Sequence, residues 1–397
     1  MGVKKPGLFK PPRFRSGQDT ETERHATWLE LFYDLVFVAA VSQLSKGLGD
    51  DYSWSGVLRF SVLFVPVWWA WVGHTFYLTR FDTEDMGHRL LTMAQMAAAA
   101  SLAVHVPAAL GATSAGFALS YAAVRSILVA EYLRAGLHIP EVRPLTGRYA
   151  AGFGAAASLW ALSALVPVPW RFLLWGTALA IDFLTPLTAG QLHVRFPPHL
   201  MHLPERFGLF TIIVIGEAVV SVVVGINPAR FTLGSGMEGL MGLVVAFALW
   251  WGYFEGAKGA AVRALSSKRH VRRYQLWLYS HLPLLMGITA TAVGVRHVIH
   301  QAPLDALPIS EGWLLSLSVA VSVLALNAIF LAAFTGRTRQ LHRFLVPHYV
   351  IAILGVLTGT VSTILPGIAL LGILTLLCVS QIFFSLREMP SADVDLP

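Results

Sequence analysis

Glu30 and Asp34 lie four residues apart in an apolar run from His25 to Ser45, HATWLELFYDLVFVAAVSQLS. On a helix that spacing puts both carboxylates on one face. A carboxylate in hydrocarbon costs a few kcal/mol or more, so it faces a protein interior or a watery cavity and marks an ion or proton path. Other ionisable groups sit in equally apolar runs: His74 in VWWAWVGHTFY, Arg125 in SYAAVRSILVAEYLRAG, Asp182 in WGTALAIDFLTPLTAG, Glu217 in GLFTIIVIGEAVVSVV and His281 in YSHLPLLMG. Counted along helices at 1.5 Å per residue, they occupy one slab from the cytoplasmic half to the midplane. Three deep acids facing one mid-span arginine leave negative charge over. An acid without a partner there exchanges a proton, because burial penalises its charged form.

Asp34, Asp182 and Glu217 form the expected inner-half site. Arg125 either tunes its charge or neutralises one acid as a structural ion pair. Glu30 and Glu205, the latter followed by Arg206, lie nearer the interface and serve as a gate or as structure. His74 and His281 are satisfied core histidines or ligands, the former being the commoner case. Pro66, Pro107, Pro186, Pro283, Pro347 and Gly216 mark places where helices beside such a site are interrupted.

Soluble-enzyme signatures are absent: there is no glycine-rich phosphate loop ending in Lys-Ser/Thr, no His-Glu-x-x-His and no Gly-x-Ser-x-Gly elbow. His193, His199 and His202 run through Pro197 and Pro198 at spacings that do not fit a helical metal site. The single cysteine, Cys378, forms no intrachain disulfide. No metal or cofactor is expected.

The elements that must hold these groups are transmembrane helices. Only 13% of the residues are charged, against about 25% in soluble domains. The fold class is all-α polytopic. About twelve apolar segments, each long enough for some 30 Å of hydrocarbon, cover 27–47, 54–79, 88–110, 115–137, 149–166, 170–190, 206–226, 236–256, 274–299, 312–335, 341–364 and 367–386. With the N-terminus inside, the outer loops hold only Lys46, Arg171, Arg230 and Arg296. The inner side takes most of the remaining Lys and Arg, including Lys258, Arg263, Lys268, Arg269, Arg272 and Arg273. That asymmetry places both termini in the cytoplasm and explains the net charge of +7 without nucleic acid. Residues 1–26, with Lys4, Lys5, Lys10, Arg13, Arg15 and Arg24, read as a disordered basic arm on anionic lipid.

Two tandem six-helix repeats, 27–192 and 193–387, precede a short tail, 388–397. VWWAWVGHTFY pairs with LWWGYFEGAK, and ELFYDLVFV with ERFGLFTIIVIGE, so that Glu30 matches Glu205.

WLELFYDLVFVAAVSQL, HLPERFGLFTIIVIGEAVVSV, WWGYFEG and YSHLPLLMGI, in this order, resemble the bacterial low-temperature-requirement protein A (LtrA) family. The resemblance runs along nearly the whole chain after residue 25. It implies a multi-pass protein of the bacterial plasma membrane linked to growth in the cold. A weaker likeness, of architecture alone, is to two-repeat endolysosomal potassium channels with Phe-Ser-Asp on the first helix of each repeat. Here those positions are Phe32-Tyr33-Asp34 and Phe207-Gly208-Leu209. The expected function is transport of an ion or small solute, with or without proton coupling. The alternatives are a membrane-embedded enzyme acting on a lipid or hydrophobic substrate, or a non-catalytic sensor or assembly factor. Expected partners are the lipid bilayer and the transported ion or solute, with no nucleic acid; a homo-oligomer is compatible with the sequence.

Overall fold

A computed structural model of the chain describes residues 10–15, 26–82, 85–199, 202–226, 231–255, 268–301, 304–334 and 338–388. Among them are thirteen α-helices: α1 Trp28–Asp50, α2 Trp54–Leu78, α3 Met86–His105, α4 Ser114–His138, α5 Arg143–Ser163, α6 Trp170–Leu187, the short α7 Gly190–Arg195, α8 His202–Gly225, α9 Leu233–Phe254, α10 Lys268–His300, α11 Ile309–Ala333, α12 Thr338–Thr360 and α13 Gly367–Glu388. The twelve long helices fall on the twelve expected segments, and ten of them are long and apolar enough to cross a membrane. α5 and α6 are outside the ten. The protein is all-α and polytopic.

Local signals set several helix starts. Thr27 and Glu30 make a reciprocal capping box on α1: the Thr27 amide donates to Glu30 Oε2 at 3.1 Å, and the Glu30 amide donates to Thr27 Oγ1 at 3.3 Å. Thr232 and Ser235 do the same for α9. Asp85 caps α3 by accepting from the His88 amide at 3.0 Å. Prolines 66, 186, 283 and 347 are carried inside helices, and Pro107 lies in a 3-10 turn after α3. The expected interruptions at the first four therefore do not occur.

The chain divides into two compact units. The first comprises Met1–Leu44, Val62–Leu209 and Val262–Arg272; the second comprises Ser45–Ser61, Phe210–Ala261 and Arg273–Pro397. In the first unit α4 packs between α3 and α5, and α5 against α6; in the second, α11 packs on α12, and α13 on α9 and α12. Hydrocarbon is as apolar as leucine, so these pairs are held by close packing and hydrogen bonds rather than by expulsion of water. Phe32 and Leu35 on α1 point outward, while Glu30, Tyr33, Asp34, Phe37, Val41 and Leu44 form one buried stripe at helical spacing.

Residues 10–15 of the arm are structured, where disorder was expected; the rest of the arm's first 25 residues lies outside the described residues. Strand β1 (Arg13–Phe14) pairs antiparallel with β2 (Phe81–Asp82), Arg13 opposite Asp82. Arg15 pairs with Asp82 at 2.5 Å, and Phe14 packs against Phe81 and Phe196. Arg134 bridges Asp85 at 2.6 Å and the Lys10 carbonyl at 2.9 Å. Burial pushes the Asp85 carboxyl up, but hydrogen bonds from the His88 amide, Arg134 and the Lys10 amide outweigh it and hold it below the usual carboxylate range. Of the inner basic cluster, Lys258 and Arg263 lie outside the described residues.

Candidate functional site

The first unit gathers its charges along the buried stripe of α1. Asp34 Oδ1 accepts from Arg206 Nη2 at 2.6 Å and from Trp71 Nε1 at 2.7 Å. Glu30, one turn earlier, faces His202 Nε2 at 3.1 Å and Arg206 Nη1 at 3.6 Å. Arg206 thus sits between the two acids whose four-residue spacing drew attention to this helix. His202 and Arg206 are themselves four apart on the first turns of α8, so the i, i+4 pair on α1 meets an i, i+4 pair on α8. Glu205, half-buried, accepts from the Ala26 amide at 3.2 Å and secures the entry to α1.

One turn along from Asp34's partner Trp71 comes His74, on a stretch of α2 where every residue from Pro66 to Leu78 is buried. His74 Nδ1 lies 3.0 Å from Glu131 Oε2 on α4, and Tyr33 packs on its ring at 4.4 Å between centroids. Glu131 is fully buried and was missed from sequence, although it lies six residues after Arg125 in the same apolar run.

Arg125 is the cation of a second buried pair. Its Nε lies 3.0 Å from Asp182 Oδ2, which also accepts from Tyr121 OH at 2.8 Å. Nη2 donates to the Trp69 carbonyl at 3.1 Å, and the guanidinium lies over the rings of Tyr121 and Phe153. Gly73 makes this approach possible, because a Cβ there would collide with Arg125 Nη1 and come 2.9 Å from Leu128. Asp34 and Asp182 are therefore held by different arginines.

Glu217 and His281 belong to the second unit. Glu217 is half-buried. His281 Nδ1 donates to the Trp277 carbonyl at 2.7 Å, leaving Nε2 to accept from Tyr253 OH at 3.0 Å, the pattern of a neutral core histidine. The other histidines of the inner segment also have protein contacts. His193 Nε2 donates to the Pro186 carbonyl at 2.9 Å, and its Nδ1 lies 3.2 Å from Arg80 Nη2. Burial, with Arg80 beside it, pushes the His193 imidazole down to about 4, so it stays neutral and accepts from Arg80. His199 Nδ1 accepts from the His202 amide at 3.2 Å.

In the first unit, Glu30, Asp34, Glu131 and Asp182 face two guanidiniums, Arg125 and Arg206, and two imidazoles, His74 and His202, all at or near zero exposure. Asp34 Oδ2, Glu131 Oε1, Asp182 Oδ1 and His74 Nε2 have no hydrogen-bond partner among the described residues. Among these groups the four carboxylates outnumber the two guanidiniums.

Residues 25–381 match the family model described as bacterial low temperature requirement A protein (LtrA). An uncharacterized protein of Rhizobium meliloti (strain 1021) is 30% identical over 290 residues, which cover 70% of each chain. The match takes in both the α1 stripe and the start of α8, which together hold Asp34 and Arg206, and the chain belongs to the bacterial low-temperature-requirement protein A family.

Proposed function

We propose that this protein transports an ion or small solute across the bacterial plasma membrane, coupled to protons carried by the buried network of the first unit. The observation that supports this reading is the excess of buried carboxylates over guanidiniums among the described residues of the first unit, where three carboxylate oxygens have no donor. A purely structural ion-pair lattice would be expected to match its charges, since an uncompensated buried charge is strongly destabilising. Asp34 and Glu131 are the proton-binding candidates, with His74 and His202 as their imidazole partners. Arg206 and Arg125 set the local charge. Glu217, acidic and half-buried on α8, stays a candidate for the path in the second unit. The excess of Lys and Arg in the inner loops supports a topology with both termini in the cytoplasm, and a transport step that slows in a stiffened bilayer would fit a link to growth in the cold.

The test is reconstitution of the full chain in liposomes loaded with pH- and potential-sensitive dyes. Asp34→Asn and Glu131→Gln are expected to abolish or uncouple proton movement at normal protein abundance. Identical flux for the wild type and both variants removes these residues from the mechanism. Full rescue of cold growth by Asp34→Asn in a null strain would leave the network a structural role only.

A further inference from the structure

Within the second unit, the C-terminal turn of α1, the first two turns of α2, the middle of α10 and the first half of α11 enclose a cavity of about 250 Å³. We propose that this cavity is a side pocket for one acyl chain of a membrane phospholipid. The proposal stands apart from the proton network.

The lining decides the class of ligand. No charged side chain contributes to it, and its walls are Leu48, Phe60, Met286, Ala290, Leu314 and Leu317. Two serines along its length have already given their O–H to backbone carbonyls and have no donor left for a polar guest. Ser61 Oγ donates to the Val57 carbonyl at 2.8 Å, and Ser318 Oγ donates to the Leu315 carbonyl at 3.0 Å while accepting from Thr291. An ion, sugar or peptide would leave its own polar groups without partners there, which is costly. Polarity collects at one end, where Tyr52 and Ser310 line the cavity. Behind Tyr52 lies Glu311, which accepts from Gln301 Nε2 at 2.7 Å, and the Tyr52 ring packs against His297. The cavity is thus long, apolar and polar at one tip, the pattern of a hydrocarbon chain with a head.

Size and access commit it to one chain drawn from the bilayer. From Ser310 to Val321 the lining runs along α11 for roughly 16 Å at 1.5 Å per residue. A volume of about 250 Å³ lies below the ~300–1,000 Å³ of drug-sized pockets, which suits a single hydrocarbon chain spread along that length. At the mouth Trp54 and Val321 are exposed, and the outward faces of the same two helices continue as exposed Leu58 and Leu324. Both helices are long and apolar enough to cross a membrane, which sets that mouth toward lipid in the proposed arrangement. Trp54 is the first residue of α2, at the interfacial level aromatic rings prefer, and marks where the lipid head would lie.

The test uses the full chain in phosphatidylglycerol–phosphatidylethanolamine vesicles doped with a phosphatidylcholine bearing a diazirine in mid-chain. After irradiation, adducts are mapped by mass spectrometry. Adducts are expected to concentrate on the segments holding Phe60, Ala290 and Leu314, above the yield at exposed Leu376 on α13. Displacing about two methylenes with Ala290→Phe should lower them roughly tenfold, leaving α13 labelling unchanged. Val321→Trp, at an exposed position, gives a second variant that does not depend on repacking the interior and should lower them in the same direction. Adducts spread over all lipid-facing helices in proportion to exposure, or untouched by Val321→Trp, would overturn the proposal.

Discussion

The two units bury different kinds of polarity. In the first, the described residues include three buried arginines, Arg80, Arg125 and Arg206, and the acids Glu30, Asp34, Asp85, Glu131 and Asp182. In the second, buried polar groups are almost all neutral: serines, threonines, Asn327, Gln381, His281 and His348, with Glu238 and Glu311 as the only acids and no buried arginine or lysine among the described residues. His74 and His281 make the contrast concrete. One faces a buried carboxylate, the other a tyrosine hydroxyl and a carbonyl. The first unit therefore buries formal charge of both signs, five carboxylates and three guanidiniums among the described residues. The second is assembled like an ordinary membrane bundle, and its cavity is apolar.

The largest effect should come from breaking a pair in the charged unit. Arg125→Leu leaves Asp182 buried without its cation and is expected to cost about 3–5 kcal/mol. The double variant Arg125→Leu with Asp182→Leu should recover most of that loss. Thermal unfolding in detergent decides it, and a single variant as stable as wild type would mean that these charges do not compensate one another. Next comes Glu238, buried on α9 with both carboxyl oxygens lacking a partner. Replacing it with leucine removes an unsatisfied group and should stabilise the protein by about 1–3 kcal/mol; a drop in melting temperature would show that the second unit also relies on a charge.

A neutral contact should matter less. His281→Phe forfeits its hydrogen bonds to Tyr253 and Trp277 and should cost about 0.5–1.5 kcal/mol for each net bond lost, with no change in the pH dependence of activity. His74→Phe leaves the buried Glu131 Oε2 without its imidazole partner and should cost more, about 1–3 kcal/mol, and equal losses for the two variants would erase the distinction. The smallest effect concerns the arm. Because the Asp85 carboxyl is held below its ordinary range, its contribution is complete above the ordinary value and is lost as pH falls through the folded one. At neutral pH, Asp85→Asn should speed tryptic cleavage at Arg13 and Arg15 roughly twofold, as expected for a partly exposed ion pair of about 0.5 kcal/mol. Unchanged cleavage would show that β-pairing alone holds residues 10–15.

The helices and the deep charges were legible because both follow local rules. Apolar runs of membrane length predict the spans, and the i, i+4 spacing of Glu30 and Asp34 predicts their shared face. The Thr27-x-x-Glu30 capping signature was also there to be read, and it gives Glu30 a second role at the start of α1. Trp71 was harder: set among Trp68 and Trp69 it looks like packing, yet its indole N–H holds Asp34. Glu131 reads as one more polar residue late in a helix until α2 brings His74 against it.

The sequence by itself determined that this is a helical membrane protein of the LtrA family with ionisable groups at depth in its spans. It could not determine the partners. Arg206 and Asp34 are 172 residues apart, and Arg125 and Asp182 are 57 apart. Helical period is a property of a few consecutive residues, whereas the pairing of charges depends on which helix faces lie together. Tertiary packing alone put Asp34 with Arg206 rather than Arg125 and gathered the buried arginines into one unit. It also left three carboxylate oxygens there, on Asp34, Glu131 and Asp182, with no donor among the described residues.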